Sequence, residues 1–384
     1  MKICAIICEY NPFHYGHAYQ LTQAKRLSGA DAILCIMSGN FVQRGEAAIM
    51  EKYVRAKHAI LAGADAVIEL PTPFATSNAE LFAKGAIRLI SSIPSVTHLC
   101  FGAESADKLA FYSAARYLKD EPKEVSQKIK ELVSHGASYA KARAEGFAGF
   151  IPLSLLTAPN NVLGLEYTKA LLEFSSEIEI LPIERIGGQY NDKRLQENFS
   201  SASAIRAAIQ AGVLPSGHAP RFVLDDLPQK INTQLELLEK YAILAYGAEK
   251  IAAVCDCTEG LENGFIKAAQ LSEPLTETLT SARYTSSRIR RIALQNLLKI
   301  DEKLIRESLS SPLYLRVLAT NETRTDVLSA LSESKYPLIV RAHDEERLNE
   351  SAKKCFEKDE FAEKIYHLLY KPQKKKKIFI GKDK

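Results

Sequence analysis

Two histidines three residues apart, His14 and His17, close the string Glu9-Tyr-Asn-Pro-Phe-His14-Tyr-Gly-His17. On the first turn of a helix that spacing puts both imidazoles on one face. Pro12 ends the apolar run before them, and Gly16 lets backbone approach closely where the helix opens. A helix N-terminus offers free N–H groups and a partial positive charge, which together favour phosphate. Two imidazoles there can donate hydrogen bonds to phosphate oxygens, holding them most tightly as charge builds in a phosphoryl-transfer transition state. Ordinary surface histidines, or a metal-binding pair, are the competing interpretation for an isolated H-x-x-H. Much further along, Ser200, Ser201 and Ser203 precede Arg206. Any of the serines can cap a helix, and Arg206 follows Ser203 by one turn, a geometry that suits a β- or γ-phosphate. A plain helix cap would account for the serines alone.

Those side chains need elements to hold them. Apolar runs at 2–8, 32–37, 66–70, 96–101 and 177–183 predict strands. Helical spacing falls between them at 17–27, 52–62, 77–91, 106–118, 123–134, 138–146 and 163–173. Strands that are apolar throughout and alternate with helices predict an α/β fold, a Rossmann-like parallel sheet covered on both faces. Ligands of such sheets bind at the carboxyl ends of the strands, where strand order reverses. The histidine string lies at the first strand–helix junction. Around 215–220, Pro215 and Pro220 mark a linker. Beyond it, helical patterns at 230–246, 264–270, 284–299 and 360–370 predict a mostly helical C-terminal domain, with two short strand-like runs at 314–318 and 338–340. The expected division is a catalytic domain over 1–214, a helical domain over 215–370 and a basic tail over 371–384.

With 384 residues, 46% of them hydrophobic and 25% charged, the chain has the composition of a globular protein of two or three domains. No apolar run approaches the roughly 20 residues of a membrane span, and the N-terminus lacks the features of a secretory signal. Seven scattered cysteines, with only Cys255 and Cys257 close together, predict reduced thiols in the cytoplasm and no metal site. The net charge of +4 is uneven: residues 371–384 carry +6, leaving −2 for the rest. Such a tail is either a solvated end or an arm that holds phosphate.

His14-Tyr-Gly-His17 is similar to the H-x-G-H signature of the nucleotidyltransferase superfamily, and Phe199-Ser-Ser-Ala-Ser-Ala-Ile-Arg206 resembles its I-S-S-T-x-I-R signature, with Phe199 in place of Ile and Ala202 separating the serine pair from Ser203. Longer strings resemble the bacterial tRNA(Met) cytidine acetate ligase family. They are Ile7-Cys-Glu-Tyr-Asn-Pro-Phe-His-Tyr-Gly-His17, Met37-Ser-Gly-Asn-Phe-Val-Gln-Arg-Gly45, Gly63-Ala-Asp-Ala-Val-Ile-Glu-Leu-Pro71, Phe101-Gly-Ala-Glu104, Pro159-Asn-Asn-Val-Leu-Gly-Leu-Glu-Tyr167, Arg185-Ile-Gly-Gly188, Glu259-Gly-Leu-Glu-Asn263 and Tyr284-Thr-Ser-Ser-Arg-Ile-Arg-Arg291. The resemblance covers nearly the whole chain. It implies activation of acetate by ATP to acetyl-adenylate, then transfer of the acetyl group to N4 of the wobble cytidine of elongator tRNA(Met). Mg²⁺ is expected to travel with the phosphates.

By that resemblance the catalytic residues are His14, His17, Ser203 and Arg206. The ATP site takes in Ile7, Cys8, Glu9, Tyr10, Asn11, Pro12, Phe13, His14, Tyr15, Gly16, His17, Ala18, Tyr19 and Gln20, together with Gly102, Asn161, Arg185 and Ile186. Asn40, Gln43 and Arg44 are candidates for the acetate end. For tRNA the candidates are Arg283, Arg288, Arg290 and Arg291, which cluster at a predicted helix, and Lys374, Lys375, Lys376 and Lys377 in the tail. H-x-G-H alone also fits a small-metabolite adenylyltransferase, or a non-catalytic RNA-binding protein on the same scaffold. The long, Arg- and Lys-rich extension favours a large polyanionic acceptor over the first, and the intact His and Ser/Arg residues favour catalysis over the second.

Overall fold

Residues 3–8 are apolar without interruption, as a strand buried on both faces must be. In the computed structural model, which describes residues 1–185, 200–371 and 378–381, they form β1 (Ile3–Cys8) in the middle of a mixed sheet. The other strands are β2 (Ala32–Ser38), β3 (Phe41–Val42), β4 (Glu46–Ala47), β5 (Ala66–Leu70), β6 (Val96–Ala103), β7 (Glu179–Glu184), β8 (Leu315–Asn321), β9 (Leu338–Ile339) and β10 (Phe379–Ile380). β3 and β4 form a small antiparallel hairpin. The rest make one eight-stranded sheet in the order β10-β8-β5-β2-β1-β6-β7, with β9 beside β8. β1 pairs in parallel with β2 on one side and β6 on the other. Strand order therefore reverses between β1 and β6, and the crevice at their carboxyl ends is where such a sheet binds ligands.

Alternation along β1 divides the interior. Ile3, Ala5 and Ile7 join one apolar core, while Cys4, Ile6 and Cys8 join the other. The helix Pro159–Glu173 lies against β6 only because Gly164 has no side chain: a Cβ there would stand 2.3 Å from Phe101 Cε2. All seven cysteines are free thiols, and Cys255 alone is not buried. No helix among the described residues is long and apolar enough to cross a membrane.

After β7 the chain builds a helical unit with a core of its own. Ile243, Phe265, Ile289 and Ile292 meet there from helices Leu235–Ala252, Leu261–Ala269 and Ser286–Leu297. The boundary expected at 214/215 falls between β7 and β8, two strands of one sheet. The strand-like run expected inside the helical half returns as β8, antiparallel to β5. It covers a sheet edge that would otherwise expose unpaired backbone. Helix Glu350–Leu369 comes back with it: Asp359 Oδ1 accepts from Thr72 N at 2.7 Å, and Tyr366 Oη donates to Ala48 O at 2.9 Å. Buried charge ties these pieces together, with Lys52 Nζ 2.8 Å from Glu69 and 3.2 Å from Glu363, and Arg316 3.4 Å from Glu69. The expected basic tail is also partly structural, since Phe379 and Ile380 pair with β8 as β10. Lys374, Lys375, Lys376 and Lys377 lie outside the described residues.

Candidate active site

The two histidines stand where β1 gives way to helix Tyr15–Ser28. His14 is the N-cap, and its Nδ1 accepts from Gly16 N at 3.1 Å. His17 Nδ1 accepts from His14 N at 3.3 Å. A backbone N–H can only donate, so Nδ1 of each neutral ring carries the lone pair and each Nε2 carries the proton. The rings stack with centroids 3.7 Å apart, and Tyr10 and Phe13 pack on His17. Burial, followed by the neighbouring Arg185, pulls His14 down to about 3, and burial, His14 and Arg185 pull His17 well below the usual histidine value. The pair is therefore neutral at pH 7, two N–H donors fixed at a helix N-terminus. Gly16 is required beneath them, because a Cβ would lie 2.9 Å from His14 Cε1.

The serine–arginine segment meets this loop directly. Ser201 caps helix Ala202–Gln210 by accepting from Ala204 N, which leaves Ser203 and Arg206 facing the cleft from its first turns. Arg206 Nη1 donates to Asn11 O at 2.7 Å, and its Nη2 lies 3.5 Å from Ser203 Oγ and 3.8 Å from Glu46 Oε2. Two segments nearly 200 residues apart in sequence thus share one wall.

The cleft they line encloses about 1120 Å³, open solvent included. Of the residues proposed for nucleotide, Ile7, Cys8, Glu9, Tyr10, Asn11, His14, His17, Gln20, Gly102 and Arg185 line it, and Gly16 and Tyr19 line a recess beside it. Pro12 and Phe13 are buried under the loop, Ala18 does not reach the cleft, and Tyr15 points outward, 40% exposed. Asn161 also stays out. Its buried Oδ1 accepts from Glu104 N and Ser105 N and its Nδ2 donates to Ser154 O, so it braces the loop after β6 while Asn160 lines the cleft instead. Ile186 lies outside the described residues. Of the acetate candidates, Gln43 and Arg44 line the cleft from the β3–β4 turn, whereas Asn40 is buried and accepts from Lys52 N at 2.7 Å.

Glu46 and Phe82 line the cleft without a sequence signal, and Phe101, Leu163 and Tyr167 line it from family-like strings that single out none of them. The deepest positioning residue is Arg55. It is fully buried and donates to the carbonyls of Glu9, Ser38, Gly39 and Met50, holding the loops after β1 and β2 together. Nothing in the pattern of helix Lys52–Leu61 distinguishes this arginine from a solvated one.

The arginines at 283–291 do not form one free basic face. Arg288 turns inward, donating through Nε and Nη2 to Asp256 O at 3.0 and 2.6 Å and stacking 5.0 Å from the Tyr284 ring. Arg291 Nε is buried, and Arg290 points at the hairpin, with Nε 3.3 Å from Arg44 O and 3.5 Å from Glu46. Arg283 is the half-exposed one, paired with Glu259 at 3.0 Å. Gly45 makes the junction possible: its φ is +73° and a Cβ would lie 2.6 Å from Arg290 C. Arg288→Glu should therefore lower stability by roughly 1–3 kcal/mol, through lost hydrogen bonds to a charged group and a carboxylate set against a carbonyl. Calorimetry checks this: an unchanged melting temperature would show that Arg288 has no structural role.

The family model described as HIGH Nucleotidyl Transferase matches residues 1–379. The tRNA(Met) cytidine acetate ligase of Caldanaerobacter subterraneus subsp. tengcongensis is 36% identical over 388 residues, covering 97% of this chain and 96% of that protein. The enzyme of the same name from Thermoanaerobacter sp. strain X514 is 38% identical over 388 residues, with the same coverage. Among solved structures, apo Thermotoga maritima TmcAL superposes with a TM-score of 0.91 at 28% identity, over 99% of this chain and all of that one. The same protein bound with alpha-thio ATP gives a TM-score of 0.89 over the same span.

Proposed function

We infer the activity from one premise: the chain belongs to the HIGH nucleotidyl transferase family and, within it, to the tRNA(Met) cytidine acetate ligases. It uses ATP to activate acetate and passes the acetyl group to N4 of the wobble cytidine of elongator tRNA(Met). The observation that carries the reading is the hydrogen bond from Arg206 to Asn11 O, which brings the Ser203–Arg206 turn against the His14–His17 loop at the mouth of the sheet.

Acetate alone is a poor acyl donor, because oxide would have to leave. In the cleft an acetate oxygen attacks the α-phosphorus, pyrophosphate departs, and a mixed anhydride with AMP results. The N4 amine then attacks the acetyl carbon, the bond to the AMP oxygen breaks with its electrons, and the amine proton passes to solvent. The chain's part is to align and to neutralise. His14 and His17 Nε2–H donate to phosphate oxygens, Ser203 and Arg206 hold the far end of the triphosphate, and Arg185 adds charge from the end of β7. Gln43 and Arg44 take the acetate carboxylate. Mg²⁺ enters with ATP as part of the substrate. Glu9 and Glu46, the carboxylates lining the cleft, are already engaged by Gln43 N and by Arg206 and Arg290.

The helical portion of residues 215–370 receives the tRNA, with Arg283 and the lysine arm at 374–377 meeting its backbone, and a reaction on these substrates belongs in the cytoplasm. Incubation with ATP, radiolabelled acetate and bulk bacterial tRNA, with nucleoside analysis of the product, tests the whole reading. Label in N4-acetylcytidine is expected, and label that depends on ATP but not on tRNA would point to a small-molecule acceptor.

A further inference from the structure

A second cavity of about 920 Å³, open solvent included, lies beside the nucleotide cleft, between the β3–β4 hairpin and the helical unit. It shares two lining residues with the cleft, Glu46 and Arg206, so anything bound in it lies next to the phosphates. Its far wall sets Leu235, Leu275, Ile289 and Ala293 among the polar side chains of Glu236, Glu239, Thr276 and Arg290. Glu239 enters that wall, only 5% exposed, and its Oε1 is buried with no hydrogen-bond partner among the described residues. A buried, unsatisfied carboxyl oxygen in a cavity costs stability unless something fills the place.

The groups facing it are few. Glu236 is on the same helix and accepts from Leu275 N, Arg290 looks in from helix Ser286–Leu297, and Glu46 and Arg206 come from the α/β side. Burial, then Glu236, pushes the Glu239 carboxyl up to about 8 against the pull of Arg290. At neutral pH it keeps its proton and offers an O–H donor beside a C=O acceptor.

We propose that this cavity receives the acceptor cytosine of the tRNA, with the Glu239 carboxyl hydrogen-bonded to the edge that carries the exocyclic amine. The proposal rests on the ligase reading above. Cytosine presents an N4–H donor beside the N3 acceptor, the complement of a neutral carboxyl. Chemistry on a base requires it to leave the stack and enter a pocket, where apolar walls cover its faces and a polar group reads its edge. The shared Glu46, on the same β3–β4 hairpin as the acetate candidates Gln43 and Arg44, puts that base beside the acetyl end of the cleft.

The test uses the full-length protein and an anticodon stem-loop of elongator tRNA(Met), in parallel with one carrying pyrimidin-2-one, which lacks the amine, at the acceptor position. The parent binds the cytosine stem-loop roughly tenfold more tightly than the pyrimidinone one, and Glu239→Leu loses that preference. Glu239→Leu releases pyrophosphate from ATP and acetate at the parent rate without RNA, while acetyl transfer falls about 100-fold, on the scale of an unmet buried polar partner. Glu239→Gln keeps an acceptor beside a donor and keeps most of the transfer. Transfer at the parent rate in Glu239→Leu, or pyrophosphate release lost together with transfer in a folded variant, would overturn the proposal. If Glu239→Leu does not fold, Thr276→Phe fills the cavity from its rim and must give the same split. A parent that releases no pyrophosphate with acetate overturns the ligase reading instead, and the preference for cytosine still decides the cavity.

Discussion

His17→Ala lowers ATP-dependent acetyl-adenylate formation by on the order of 100- to 1000-fold, the usual cost of one lost donor to a developing oxyanion, and His14→Ala does at least as much. The two rings are not equivalent. His17 contributes its Nε2–H, whereas His14 also caps the helix and accepts from Gly16 N, so its loss disturbs the loop as well. Pyrophosphate release with circular dichroism on the same preparation checks both, and near-normal release by folded His17→Ala would sink the assignment. The lowered values fix the pH dependence: both histidines are neutral in the free protein, His14 with its value down to about 3. Each Nδ1 lone pair is already held by a backbone N–H, so the rings meet phosphate as neutral Nε2–H donors and gain no proton between pH 7 and 6. Calorimetry in two buffers of different ionisation enthalpy measures proton uptake on ATP binding. Parent and His17→Ala should agree, and a smaller uptake by His17→Ala would show that the ring protonates when ATP binds.

Arg206→Ala weakens ATP binding and turnover together by roughly 10- to 100-fold, the scale of a lost hydrogen bond to a charged group. Its guanidinium has two duties. Nη1 moors the Asn11 carbonyl at 2.7 Å, and the rest of the fork faces the cleft with Ser203. Arg206→Lys keeps the charge but offers a single point donor, which cannot serve both. It should retain KM for ATP better than kcat. If Arg206→Ala left affinity and turnover both unchanged, the segment would be a capped helix and nothing more.

Much of this site is legible along the chain because its chemistry is local. The spacing of His14 and His17, the place of Gly16, and the strand before and helix after them are set by residues within a turn or two of one another. The unbroken apolar runs announce strands buried on both faces, and β1, β2, β5 and β6 appear close to where their composition puts them. Of helix Glu350–Leu369, the spacing predicts only 360–370, because its first turns carry the polar residues of a solvated face and its start depends on the Asn349 cap.

The junction of strand, histidine pair and helix, the α/β character of the first half and the helical character of residues 235–297 are thus written in the order of residues along the chain. Other features exist only in the folded molecule. Residues 315–321 and 379–380 close the same sheet as β1, and Asn160 rather than Asn161 faces the cleft. Arg288 turns inward to the Asp256 carbonyl, Arg55 lies buried among four carbonyls, and Glu239 faces a cavity. The reason is physical. Hydrophobic periodicity and helix capping act between near neighbours, so composition records them. An arginine or glutamate looks the same in sequence whether it meets water, a carbonyl from 32 residues away or an apolar wall, and only the packing of distant segments settles which.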